Sequence, residues 1–166
     1  MSSFAEVMQA YQQQLQQGLI QQAYRGLMEF MSALKTSLKT EYPDYQVSGS
    51  LYFGYMDMTY FSFTPPNLKE KGLKVAIVFV HETFAFEAWL SAANRAVLAQ
   101  YAQLIEDAGW KKYRRVSAAE NPDAILKHTI MANPDFSDLT ALSAFIERDA
   151  LAFCADVQAF ISDLQA

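Results

Sequence analysis

The stretch "LKVAIVFV", residues 73–80, limits the possible folds more than any other part of the chain. Apart from Lys74 it is apolar at every position. Successive side chains of a strand point to opposite faces, so a half-exposed strand alternates apolar with polar. This one does not alternate. It reads as a strand buried on both faces, at the centre of an antiparallel sheet, with residues 74–80 paired on both edges. The rest of the chain must supply those neighbours and the cover.

Helices come first. Ser2 or Ser3 caps a helix that carries Phe4, Val7, Met8, Tyr11 and Leu15 at helical spacing. The segment "YQQQLQQGLIQQAY" is rich in glutamine, but Leu15, Leu19 and Ile20 keep the amphipathic period, so the glutamines are a polar helix face. Gly18 stops this helix in a left-handed conformation. A second helix carries Ile20, Tyr24, Leu27, Met31, Leu34 and Leu38 and ends before Pro43. Together the two form a helical hairpin.

The pattern then changes to aromatic and β-branched residues. In "QVSGSLYFGYMDMTYFSFTPP" a first strand ends near Gly54 and a second covers Asp57 to Phe63. "PPNLKEKG" reads as a loop. After the central strand, "HETFAFEAWLS" allows two readings. Thr83 can cap a helix with Phe86, Leu90, Ala93 and Val97 on one side. Alternatively, Glu82 to Ala85 form a turn and the chain returns as a strand. The hairpin is preferred, because alternation then places Phe84, Phe86, Ala88 and Leu90 on one face and Glu87 and Trp89 on the other. A middle helix follows from near Asn94 to Gly109 with Val97, Tyr101, Leu104 and Ala108 as its stripe. "WKKYRRVS" and "AILKHTIM" read as two further strands. "NPDFSD" leads to a last helix capped by Ser137 or Asp138, with Leu139, Leu142, Ile146, Phe153, Val157, Phe160 and Leu164 on one side. The predicted fold class is α+β: an N-terminal helix pair, an antiparallel β-meander of about four to six strands, a middle helix and a long C-terminal helix. No repeat, linker or composition break divides residues 1–166, so the chain reads as a single domain.

Composition bounds the partners. Apolar residues make up 52% of the chain and charged ones 19%, enough for a substantial core. Twelve Phe, nine Tyr and two Trp supply aromatic surface for a core, a lined cleft or an oligomer interface. A net charge of −5 argues against binding to nucleic acid or an anionic membrane, which rely on Lys and Arg. The one basic cluster, "KKYRR" at 111–115, reads as a solvated strand or loop edge. Cys154 is the single cysteine and has no internal disulfide partner, which fits a reducing compartment. The first residues lack a signal-peptide pattern, and no apolar run reaches the roughly 18 residues a membrane span needs. The expected location is therefore cytoplasmic.

Three blocks, "YQQQLQQGLIQQAYRGLMEFM", "SGSLYFGYMDMTYFSF" and "GLKVAIVFVHETFAFEAWLSAANR", resemble a family of small uncharacterised bacterial proteins, a domain of unknown function. The likeness runs from Tyr11 through Arg95, with a weaker echo at "NPDF". It implies bacterial origin and one cytosolic domain. It also favours the hairpin, since the related pattern keeps a strand-like "FEVWL" where this chain has "FEAWL". It brings no activity and no site residues.

The polar residues worth weighing are few. Asp57 lies between methionines and among tyrosines; a carboxylate buried there must be paired or hydrogen-bonded. It is expected to be more than half buried, bonded to a Tyr, an Arg or a backbone amide. The named candidates are Tyr55, Tyr60, His81 and Arg95. The plainer reading is a turn aspartate between two strands. His81, beside Glu82 and near Glu87, has the residue types of a general base held by a carboxylate, or of a polar hairpin end. In the preferred hairpin His81 faces Phe86 and Val80 faces Glu87, which puts His81 and Glu87 on opposite faces.

The chain lacks the motif of a metallonuclease core. Such a core needs a carboxylate-x-Lys on the strand after Pro43-Asp44, and this chain has Gly72 in the carboxylate's place. Two distant His and one Cys argue against a metal site, and no phosphate loop or nucleophile elbow suggests a cofactor. Met28, Met31, Met56 and Met58 read as core filler. The expected function is a binding module. Its aromatic-lined cleft, near Tyr52, Tyr55, Asp57, Tyr60 and Trp89, would take a small molecule or a protein segment. The alternatives are an enzyme using Asp57, His81 or Glu87, and a homodimer formed through the aromatic sheet face.

Overall fold

The computed structural model describes residues 1–164. Ser3 opens α1 (Phe4–Gln16) with a reciprocal cap: its hydroxyl accepts from the Glu6 N–H, and its own N–H donates to the Glu6 carboxylate. Gly18, at φ 74°, ends α1 and starts α2 (Leu19–Glu41), as expected of a glycine in the left-handed region. α2 stops at Tyr42, next to Pro43. Only the second half of its stripe is fully buried: Phe30, Met31, Leu34 and Leu38. Ile20, Tyr24 and Leu27 are partly exposed.

The sheet has four long strands: β3 (Met58–Thr64), β4 (Leu73–Val80), β5 (Ala85–Ala92) and β7 (Leu126–Ala132). Three two-residue strands, β1 (Gln46–Val47), β2 (Tyr52–Phe53) and β6 (Arg114–Arg115), bring it to seven. The order is β1-β3-β4-β5-β7-β6, with β2 also on β3, and every pairing is antiparallel. β4 sits between β3 and β5, the central place its two-faced apolar sequence requires.

The segment expected to be a loop after β3 contains a short helix, α3 (Pro66–Glu70). Proline at its start presets the helical φ, and Leu68 is fully buried, which anchors the turn to the core. α4 (Arg95–Ala108) is capped by the Asn94 side chain and ended by Gly109. α5 (Leu139–Leu164) follows Asp138, whose carboxylate accepts from the Ala141 N–H.

The helices α2 to α5 lie against one face of the sheet. Phe61 and Phe63 of β3, Val75, Ile77 and Phe79 of β4, and Phe86, Ala88 and Leu90 of β5 form one buried cluster with α2, α4 and α5. The other face is covered differently. Ala76, Val78 and Trp89 are buried there with Val116 and Ala124, and no helical residue is among them. β4 is thus covered on both sides, by helices on one and by loop and side chains on the other.

The strand reading of residues 84–91 holds, with Phe84 in the turn and β5 running from Ala85. The turn is one residue earlier than expected: it spans His81 to Phe84, and the pairs are Val80↔Ala85, Phe79↔Phe86 and Val78↔Glu87. Placing Phe86 opposite Phe79 puts two aromatic rings together in the core, 5.0 Å apart. The pairing changes by a whole two-residue period, so the residues of β5 keep their expected faces.

Candidate functional site

The residues singled out in the sequence do not converge on one cleft; they fall in three places. The first is the sheet face without helices. Tyr52 and Tyr60 are directly paired, and their rings stack at 4.8 Å. Trp89 donates its indole N–H to Glu87 at 2.6 Å, two residues away on the same side of the strand. Lys127, opposite Trp89 in the ladder, lies 4.4 Å over its ring. A hollow of about 530 Å³ includes Tyr52, Tyr60 and Trp89 with Ser62, Lys74 and Asp123. Burial and the nearby Tyr52 and Asp123 push the Tyr60 phenol up from its usual range. Arg95 pairs with Asp123 at 3.6 Å, not with Asp57, and both side chains are well exposed.

The second place is the loop before β3, which holds Tyr55 and Asp57. Both are exposed. Contrary to expectation, the Asp57 carboxylate accepts no hydrogen bond from a Tyr, an Arg or a backbone amide among the described residues; only its main-chain carbonyl does, from the His81 N–H at 3.0 Å. The physical reason is turn chemistry. Asp57 lies in a bend leading into β3, where a short polar side chain suits the backbone and stays in water.

The third place is on the helix-covered side, and it contains His81. A groove of about 490 Å³ opens between the first half of α2, the end of β4 and the start of α5. Ile20, Tyr24, Leu27 and Phe30 form its α2 wall, Phe79 and His81 its sheet wall, and Met56, Phe84, Phe136 and Leu139 complete the lining. Gly26 also faces it; a methyl built there meets no atom within 4 Å. Met56, expected in the core, is half exposed at this groove. Met56 and Phe84 have φ of 58° and 52°, the left-handed region that bulky residues avoid, at about 1–2 kcal/mol each.

His81 is the one ionisable imidazole or carboxylate side chain in this lining. Its Nε2 shares a hydrogen bond of 3.0 Å with the Thr59 hydroxyl, and Thr59 is fully buried. Its ring meets Phe79 edge-on at 5.1 Å and lies 6.0 Å from Tyr24. Burial lowers its pKa below the ordinary 6.5, against a smaller opposing effect of the Asp57 charge. Glu87 is on the other side of the sheet, bonded to Trp89. His81, Asp57 and Glu87 therefore form no hydrogen-bonded acid–base set.

A polar network absent from the sequence reading joins β7 to α5. His128 Nε2 lies 2.7 Å from Asp149, and Tyr113 donates to Asp156 at 2.6 Å, with the Lys112 ammonium 2.9 Å from the same carboxylate. Burial, then the bond to Asp156 and the charges of Asp156 and Asp149, push the Tyr113 phenol far above its usual range. The bonds from Tyr113 and Lys112 hold Asp156 below the usual carboxylate range. The available signal was the seven-residue spacing of Asp149 and Asp156 around Phe153, which places all three on one side of α5. The partly exposed pairs brace α5 against the sheet edge. Cys154 is buried, its thiol pushed up to about 12, and so unreactive. Among the described residues no three His, Cys, Asp or Glu side chains are placed to hold a metal ion, and no helix is long and apolar enough to cross a membrane.

No curated protein and no solved structure matches the chain. A family model does match, over residues 4–161, and the chain belongs to that family, described as a domain of unknown function (DUF7000).

Proposed function

We propose that this chain is a binding module whose ligand is a small apolar or amphiphilic molecule held in the groove between α2 and the His81–Phe84 turn. One observation carries the reading: a concave space of about 490 Å³ walled by aromatic and aliphatic side chains, with His81 and Tyr24 as its polar side chains. That size lies inside the roughly 300–1,000 Å³ typical of small-molecule sites, and the lining has their usual character of apolar walls with few polar groups. The left-handed backbone at Met56 and Phe84 supports it, since such strain is kept where the surroundings hold a side chain at a working position. Thr59 occupies one ring nitrogen of His81 and leaves the other for a ligand's polar end. An enzyme using His81 would have no carboxylate in the groove to orient the imidazole, and Tyr24, the other polar side chain there, has its ring 6.0 Å from the His81 ring. The lone buried Cys154 fits a reducing, cytoplasmic setting, and a bacterial source belongs to the same reading.

Gly26 provides the test. It sits in the middle of α2 with free space in front of it, so Gly26→Leu puts a side chain into the groove while improving helix propensity by about 0.5–1 kcal/mol. Titration with the amphiphilic dye anilinonaphthalene sulfonate is expected to show saturable single-site binding to the native chain. The variant should bind at least about tenfold more weakly, with an equal or higher melting midpoint. Equal dye affinity in the two proteins would remove the groove as the site.

A further inference from the structure

α1 is a helix with no core of its own. None of its thirteen residues is buried, and none joins or packs against either buried cluster. Yet Phe4, Val7, Met8 and Tyr11 recur on one side at helical spacing and are 79%, 48%, 45% and 56% exposed. Leu19, at the first turn of α2, adds a side chain that is 63% exposed. Helices this short are marginal in water, and their stability normally comes from packing an apolar face.

We propose that a second copy of the chain covers this face, so that the protein forms a symmetric homodimer through α1. Charge favours this occupant. The chain carries a net −5, which opposes self-association, but α1 has one charged side chain, Glu6, already engaged by Ser3. The stripe is therefore a part of the molecule where two copies can meet without like-charge repulsion. The flanks point the same way. Gln12 and Gln14 flank the stripe on its two sides, and an amide both donates and accepts, so a glutamine rim is complementary to itself. A lysine or glutamate rim would instead have called for a partner of opposite sign. A membrane surface is the poorer fit, because helices that lie on anionic lipid carry Lys and Arg on the polar side and α1 has neither.

The amount of surface is sufficient. The five exposed side chains present about 500 Å² of mainly apolar area per protomer, so two copies bury about 1,000 Å² before any glutamine is counted, the lower bound of specific interfaces. A two-fold contact of one helix face with itself is the simplest closed arrangement for such a patch. We place its dissociation in the micromolar range, among the weak, transient associations that interfaces at this lower bound form.

The test is sedimentation equilibrium of the full chain over about a hundredfold range of concentration, from about 2 to about 200 µM. The native chain should pass from monomer to dimer across this range. Tyr11→Glu should raise the dissociation constant at least about tenfold, and Tyr11→Leu should keep the dimer. Helix content of the dilute protein should be the same in all three, because Tyr11 packs against nothing in its own core. Gly26→Leu should dimerise like the native chain, which keeps this inference separate from the groove. A native chain that stays monomeric throughout overturns the proposal. So does a dimer indifferent to Tyr11→Glu and Met8→Glu, since that places the interface elsewhere, such as the sheet face without helices.

Discussion

His81 shows how one side chain is shaped by its surroundings. The ring is wedged between Phe79 and Tyr24 and bonded to Thr59, and this partial burial outweighs the opposing Asp57 charge and lowers its pKa. The folded chain therefore releases this proton more readily than the unfolded chain, whose histidine titrates near the ordinary 6.5. Below that value the unfolded state binds more protons. The stabilising contribution of neutral His81 is present above about pH 6.5 and is lost as pH falls through the lowered folded value. His81→Gln keeps a polar side chain but cannot titrate, so its melting midpoint should fall less steeply between about pH 7 and pH 5 than that of the native chain. Parallel slopes would mean that burial of the imidazole contributes nothing to the acid response. Asp57 teaches the opposite lesson. Its apolar sequence neighbours suggested burial, but Tyr55, Met56 and Asp57 itself are all exposed in the loop. Flanking residues report on burial only inside a regular element.

At the level of elements, much was legible where a period is sustained. The two-faced pattern of β4, the alternation of Phe86, Ala88 and Leu90 against Glu87 and Trp89, and the glycine stops at Gly18 and Gly109 all follow from local chemistry. The exact turn was not legible. Its position depends on Phe86 meeting Phe79, a pairing that local propensity does not specify. The short helix α3 was hidden because two prolines and a glycine mark a break in either case, while the burial of Leu68 is a tertiary fact. The groove was hidden for a related reason. The α2 stripe from Ile20 to Leu38 has one period throughout, yet its second half is core and its first half lines open space. Periodicity gives the direction of a side chain, not what lies in front of it. α1 extends the point, being amphipathic and yet with no residue of its own buried. Deleting residues 1–17 should therefore change the stability of the dilute protein by less than about 0.5 kcal/mol, or about 2 °C in melting midpoint. The full chain should gain stability with rising concentration and the shortened one should not. A loss of several degrees at low concentration would show that α1 is held by the body of its own protomer.

The whole molecule is a two-layer α+β structure in which the sheet has two unlike surfaces. On the helix side an almost entirely apolar groove ends at His81; on the other, tyrosines, Trp89, serines and a lysine border a more polar hollow. The proposed function assigns the ligand to the first. The candidate residues read from the sequence lie mostly on the second, because Tyr52, Tyr60 and Trp89 stand out in strands, whereas the groove draws on segments around residues 24, 56, 81 and 136 that meet only after folding. Titrating decanoate, an acyl chain with one polar end, into isotope-labelled protein while following backbone amide signals separates the two surfaces most directly. The account predicts saturable shifts clustered at Tyr24, Leu27, His81, Phe84 and Phe136, lost in Gly26→Leu. Saturable shifts at Tyr52, Tyr60 and Trp89 instead, or no saturable shifts at all, would contradict it.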